Sequence, residues 1–326
     1  MTNVPQDQAR SASLDALEHA NFLAGDKVYT SGWFGRDGQH LHYVTAGEGP
    51  VILFVHGFPS FWYCWMRQLE ALRHTHRVIA IDASGAGASA RMESADACRV
   101  SVLAAQLRAL IDEIAPNERV LLVGHDWGAV LSLTFAQAYS NVLAGVVGIA
   151  GVPLNQMLNL LETDAEQRAR SDYMQRLCAL TQADAAQVAN TIIETAYHDL
   201  IDAKYIDEVE TALFARACGD PQALWSGALW YRANLPSEGA SYADYAWPDA
   251  NPANDIPSLL IWGENDEVFV RHAPDHYAAA HNSAHVVRLE SIGHWCMLQA
   301  PERVTVELHQ FAAHVMSGHA QRAFAT

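Results

Sequence analysis

The chain has 326 residues, half of them hydrophobic, enough to bury a large core in one domain or in one domain plus an insertion. Lys and Arg number 20 against 37 Asp and Glu, and the formal charge of -17 argues against nucleic acid or an anionic membrane as partner. No apolar run reaches the roughly 20 residues of a membrane span, and the opening MTNVPQDQARSASLDALEHANFLAGD has none long enough for a secretory signal, so a cytoplasmic protein is expected. The five scattered cysteines (Cys64, Cys98, Cys178, Cys218, Cys296) contain no C-x-x-C pair, which predicts free thiols, without a disulfide framework or a metal site.

In chain order, residues 1–27 are expected to form an N-terminal extension, an arm or a helix. Apolar, β-branched runs follow at HLHYVTA (from 40), VILFVHG (51), RVIAIDAS (77), RVLLVGHD (119) and LAGVVGIAG (143), separated by helix-like FWYCWMRQLEALRH and RVSVLAAQLRALIDEIA. This βαβ rhythm predicts a mostly parallel, doubly wound sheet with helices on both faces. From 153 to 250 the rhythm stops, and long helical patterns and clustered Trp and Tyr predict a helical cap inserted into a core of residues 28–152 and 251–326. The rhythm resumes at SLLIWGEND (258) and AHVVRLES (284) and ends on the amphipathic PERVTVELHQFAAHVMSG.

Between the strand RVLLVGHD and the helix WGAVLSLTFAQAYS stands Gly124-x-Asp126-x-Gly128. The spacing is that of a nucleophile elbow, whose glycines permit a strained strand-to-helix turn that lifts the central side chain above the sheet. A lone Asp in this place is more often an N-cap, so further parts are needed to support an elbow. An elbow nucleophile needs an orienting acid and then a His downstream, and both occur in that order. Asp266 ends the strand SLLIWGEND, with Glu264 as an alternative nearer the strand body, and His294 follows the last strand in SIGHWCMLQAPERV. After the strand VILFV, the loop HGFPSFWYCW offers the Phe58 N–H, which with that of Trp127 would form an oxyanion hole.

Together HGFPSFWYCW, DASGAGAS, VGHDWGA, WGENDEVF and GHWCMLQAPERV resemble the α/β-hydrolase fold over residues 28 to 316. The resemblance is to its branch with an Asp nucleophile, which contains epoxide hydrolases, haloalkane dehalogenases and fluoroacetate dehalogenases. It departs from the pattern at Ser84, where relatives usually carry Arg or Pro. A carboxylate at the elbow fits displacement at an sp³ carbon with formation of an ester, which water activated by His294 and Asp266 then hydrolyses.

The leaving group is read from the flanking residues. Trp127 supplies half of a halide clamp, but Phe58 stands where haloalkane dehalogenases usually place Asn, and Trp127 stands where fluoroacetate dehalogenases carry Arg. An epoxide oxygen must be protonated as the ring opens, which suits phenols. ALWYRANL places Tyr231, and SDYMQRL places Tyr173, in contexts similar to the two ring-opening tyrosines of epoxide hydrolases. The resemblance therefore implies an epoxide hydrolase, a hydrolase acting on ether bonds, with catalytic Asp126, His294, Asp266, Tyr173 and Tyr231. A dehalogenase using the same triad is the enzymatic alternative, and a non-catalytic ligand-binding member of the fold is the other. A small apolar epoxide and water are the expected partners, with no cofactor and no metal, and a homodimer is allowed. Trp62, Trp127 and Trp230 are expected to line an apolar substrate pocket, with Phe58, Trp65 and Trp225 nearby.

Overall fold

The computed structural model describes residues 7–35, 39–237, 239–248 and 256–316. Eight strands make one sheet: β1 Thr30–Phe34, β2 Leu41–Ala46, β3 Val51–Val55, β4 Arg77–Ile81, β5 Val120–His125, β6 Leu143–Ile149, β7 Ser258–Gly263 and β8 Ala284–Leu289. Their spatial order is β1-β2-β4-β3-β5-β6-β7-β8. β2 runs antiparallel to both β1 and β4, and every pairing from β4 through β8 is parallel. This is the α/β sheet that the alternating runs predicted.

The central strands explain why their sequences read as unbroken apolar runs. In β3, Val51, Leu53 and Val55 join the core on one face of the sheet, and Ile52 and Phe54 join the core on the other. A strand covered by helices on both sides has no polar face to show. β1 escaped the sequence reading because it is an edge strand with Ser31 and Trp33 exposed and Gly32 between them, so it carries no such run. The Tyr43 ring on β2 lies over Gly32, where a Cβ would fall 2.2 Å from it and push the ring aside.

Between β6 and β7 the described chain is helical and contains no strand. It passes through Leu154–Thr163, Ala165–Arg170, Asp172–Ala179, Gln182–Asp202, Glu208–Cys218 and Pro221–Asn234. Ahead of the sheet, helix Gln8–Ala24 lies against Glu208–Cys218. Its Ser13 Oγ donates to the fully buried Asp82 at the end of β4 (2.6 Å), which also accepts from the N–H groups of Trp62 (3.0 Å) and Ala88 (2.8 Å). The leading helix is thereby tied to the loop after β4. Among the described residues no helix is long and apolar enough to cross a membrane.

Helix Trp127–Tyr139 begins where β5 ends and presses on the carbonyls after β3. A Cβ on Gly128 would sit 2.1 Å from Val55 O and 2.6 Å from His56 O, both backbone atoms that cannot swing away. Gly128→Ala is expected to destabilise the fold by about 1–3 kcal/mol, the usual cost of overpacking a filled interior. A lowered urea midpoint at unchanged slope would show it.

Candidate active site

The chemically competent side chains stand beyond the carboxyl ends of the parallel strands, where open α/β sheets offer a crevice. Asp126 follows β5, Asp266 follows β7 and His294 follows β8. Asp126 has φ 52 and ψ -122, a left-handed backbone that non-glycine residues seldom adopt. Although it occupies the N-cap position of helix Trp127–Tyr139, its side chain makes no capping bond. The carboxylate turns instead to the loop after β3, where the Phe58 N–H donates to Oδ1 at 2.8 Å. This contact distinguishes an elbow from a helix cap. The second oxyanion donor read from the sequence, Trp127 N–H, belongs to the first turn of that helix, whose N–H groups lack partners within the helix.

His294 lies between two carboxylates. Nδ1 is 3.1 Å from Asp266 Oδ2, and Nε2 is 3.6 Å from Asp126 Oδ2. The three side chains are 12%, 1% and 7% exposed in the order His294, Asp266, Asp126, so little water screens them. Burial alone would lower the proton affinity of His294, but Asp266 and Asp126 together outweigh it and lift the pKa to about 10. For Asp126, burial works to raise the pKa, while the partner His294 and the Phe58 N–H prevail and hold it below the ordinary value. In the resting site, therefore, His294 carries a proton and Asp126 a negative charge. Glu264 is committed elsewhere, to Arg271 and to Arg288 at 2.9 Å, which leaves Asp266 as the acid at the imidazole.

Tyr231 and Tyr173 come together although 58 residues separate them in the chain, their rings 6.1 Å apart and edge to face. Tyr231 is 1% exposed, 5.5 Å from the Phe58 ring and 5.1 Å from the Trp127 ring. Burial, and after it the charge of Asp126, push the Tyr173 hydroxyl well above its ordinary pKa. Burial, with Tyr173 and Asp126 adding to it, does the same for Tyr231. Both phenols remain protonated donors next to an anionic carboxylate.

Beside this cluster is a pocket lined in part by Phe58, Trp127 and Trp230, two of which are the tryptophans expected there. Trp62 is not brought to it. That residue is fully buried in the core on the opposite face of the sheet, with its indole N–H on Ser13 O (3.2 Å) and Oγ (3.1 Å), because the short 3-10 helix Trp62–Trp65 turns inward. Trp65 is likewise buried in that core against Phe54, and Trp225 stacks under the Arg232 guanidinium.

His125, which the sequence reading passed over, is fully buried and hydrogen-bonds through Nε2 to the backbone carbonyl of His294 (3.0 Å). Burial, with the nearby charged His294 adding to it, lowers its pKa to about 3. It is neutral and so donates from Nε2, and its place directly before Asp126 was the only signal for it. The loop that carries Asp266 is also held by Gln167 and Arg170, for which the sequence offered no signal.

The family model for the alpha/beta hydrolase fold matches residues 50–301. The chain belongs to that family. It is 27% identical over 282 residues to epoxide hydrolase 2 of Caenorhabditis elegans, covering 83% of this chain and 76% of that one. It is 37% identical over a shorter 143 residues to epoxide hydrolase B of Mycobacterium tuberculosis, covering 42% and 40%. Among solved structures it resembles a Bacillus megaterium epoxide hydrolase in complex with an inhibitor, with TM-score 0.76, 22% identity, and 86% and 99% of the two chains covered.

The charges at His294 can be tested directly. A His pKa raised from 6.5 to about 10 contributes stability that is complete below pH 6.5 and is lost as pH rises through about 10. Asp126→Asn removes one of the two anions and should move the His294 titration, followed by NMR of the ring, down from that value. The loss of stability on the alkaline side, which starts near the ordinary His value of 6.5 in either protein, should be smaller in the variant and complete at correspondingly lower pH.

Proposed function

We propose that the protein is an epoxide hydrolase, a hydrolase acting on ether bonds that converts a small apolar epoxide to a vicinal diol. The observation that carries this reading is the pair of protonated phenols, the buried Tyr231 and the partly buried Tyr173, next to an anionic elbow carboxylate. A halide leaves without a proton and has no use for two such donors, whereas an epoxide oxygen stays on the product and must be protonated. The names of the relatives in worm and mycobacterium agree with it.

In the proposed reaction Oδ1 of Asp126 stays on the Phe58 N–H while Oδ2 attacks one epoxide carbon. The ring C–O bond breaks, and its oxygen takes the proton of a tyrosine. Esterification removes the negative charge of Asp126, and with it part of what held the proton on His294. His294 then returns a proton to the tyrosinate and becomes a neutral base, oriented by Asp266. It takes a proton from water as the oxygen of that water adds to the ester carbonyl, and the developing oxyanion is stabilised by the N–H groups of Phe58 and Trp127. On collapse the departing alkoxide takes the proton left on the oxygen that came from water, which releases the diol and regenerates the Asp126 carboxylate beside a protonated His294. Every proton is accounted for, and no cofactor enters. In this reading residues 153–250 form a cap that delivers both tyrosines onto a core of residues 28–152 and 251–326, and residues 1–27 are an extension. The apolar pocket at Phe58, Trp127 and Trp230 receives the epoxide's substituent.

Single turnover with excess enzyme in oxygen-18 water tests the covalent step, with styrene oxide as probe. The first diol should carry unlabelled oxygen, and the label should appear in the peptide that contains Asp126. Labelled diol in the first cycle would exclude the ester and leave direct attack by water.

Tyr231→Phe removes one donor to the opening ring and keeps the packing. Turnover of the epoxide should fall by about one to three orders of magnitude, the scale for losing one preorganised donor, with little change in stability. Unchanged diol formation, or a parent protein that releases halide from haloalkanes faster than it forms diol, would overturn the reading in favour of a dehalogenase.

A further inference from the structure

Asp266 is 1% exposed at its side chain, so its direction depends on the loop that carries it and not on solvent. Its Oδ1 accepts from the N–H groups of Val268 (2.7 Å) and Phe269 (3.1 Å), which leaves Oδ2 for His294. This tight turn points a row of backbone groups away from the imidazole, and one short helix, Ala165–Arg170, takes them up. Arg170 Nη1 donates to the carbonyls of Asp266 itself and of Phe269 (3.0 Å). Gln167 Nε2 donates to Val268 O (2.9 Å), and its Oε1 accepts from the Val270 N–H (3.0 Å). The Gln167 amide is 1% exposed and gives its remaining donor to Ser171 Oγ (2.9 Å), while Glu166 holds the Arg170 guanidinium from the side (2.8 Å). Four backbone groups of residues 266–270 are thus bonded to two side chains from one turn of helix.

We infer that Gln167 and Arg170 are positioning residues that aim Asp266 at His294, so that the segment leading into the helix of Tyr173 also orients the base. The inference rests on the proposed reaction for its kinetic consequence, but not for its geometry. At 3.1 Å the Asp266–His294 bond is already near the long end of the useful range, and a displacement of the loop by about 1 Å would break it. The two half-reactions respond differently. Ring opening uses the phenols and the Asp126 carboxylate, which is held by the Phe58 N–H, whereas the backbone of residues 266–270 is held by Gln167 and Arg170. Ester hydrolysis uses His294 as a base whose tautomer and direction Asp266 sets. Loosening the clamp should therefore slow the second half alone.

Gln167→Met keeps length and volume but can neither donate nor accept, and Arg170→Met removes the guanidinium from a side chain that is 29% exposed. With styrene oxide, each should lower kcat by about 10- to 100-fold. KM should fall in parallel, because kcat/KM reports the steps up to the ester and kcat its breakdown. The hydroxyalkyl ester should accumulate in the steady state as added intact mass. Arg170→Lys, which keeps a cation with donors, should recover much of the loss seen in Arg170→Met. Independently of any substrate, the NMR titration of His294 should move to lower pH in Gln167→Met, since Asp266 supports its proton. A merely structural role predicts a different pattern, a lower melting temperature with the His294 titration and the ester level unchanged, and that pattern would overturn the inference. So would a kcat/KM that falls as far as kcat without trapped ester. If Gln167→Met does not fold, Arg170→Met and its Lys rescue decide by the same two measurements. A parent protein that never forms an ester with an epoxide would refute the reaction, and the His294 titration in Arg170→Met and Gln167→Met would still decide the positioning.

Discussion

The site depends on a carboxylate held at the end of a buried strand in a backbone conformation that costs about 1–3 kcal/mol to maintain. Asp126 stands at φ 52, with glycines at the two close approaches around it. On Gly57 a Cβ would fall 2.3 Å from Asp126 Oδ1, and on Gly124 it would fall 2.1 Å from Gly128 O. The Asp126 N–H still finds Ile149 O on β6 at 3.1 Å, so the strained residue remains in the hydrogen bonding of the sheet. With the backbone held this way, the side chain cannot cap its own helix and must look across to Phe58. In the proposed reaction the oxyanion site and the nucleophile are consequences of the same packing.

That packing also sets the electrostatics. Two carboxylates and one imidazole share a volume with little water, and the charges are worth more there than at a surface. Binding of the proton by His294 depends on both anions. Neutralising Asp126 by an ester changes the proton affinity of its neighbour without any movement of the chain. In the proposed cycle the first chemical step thus prepares the base for the second, and Asp266 remains charged throughout to orient it. The neutral His125 ties the backbone of His294 to the residue before Asp126, so the two side chains share a support.

The helices between β6 and β7 act on the site from two directions. Tyr173 and Tyr231 arrive from helices Asp172–Ala179 and Pro221–Asn234 and meet over the elbow. The preceding turn, Ala165–Arg170, reaches past them to the loop of Asp266. Motion of this region would therefore affect donors and base together, which links substrate enclosure to both halves of the proposed chemistry.

Much of this was legible in one dimension because parallel strands buried on both faces must be apolar throughout, and because an elbow needs small residues at fixed spacing around its central side chain. VILFV, RVIAI, VLLVGH and SLLIWG are strands in the structure as in the sequence, and Asp126, Asp266 and His294 follow strand ends in the order that brings them together. Hydrophobicity alone could not separate tryptophans that line a pocket from those that fill a core. Trp127 and Trp230 reach the pocket, whereas Trp62 turns inward to Ser13, since the direction of a side chain is decided by the elements packed around it. β1 was hidden because an exposed edge has no apolar pattern to read. Gln167 and Arg170 were hidden because the backbone groups they hold lie some hundred residues further along the chain. The sequence by itself determined the sheet, the elbow and the chain order of the reactive groups, all of which are local in their physical causes. Only the tertiary structure decided which acid faces His294, how strongly it holds its proton and what aims that acid, because those depend on distances and burial between segments that no local pattern encodes.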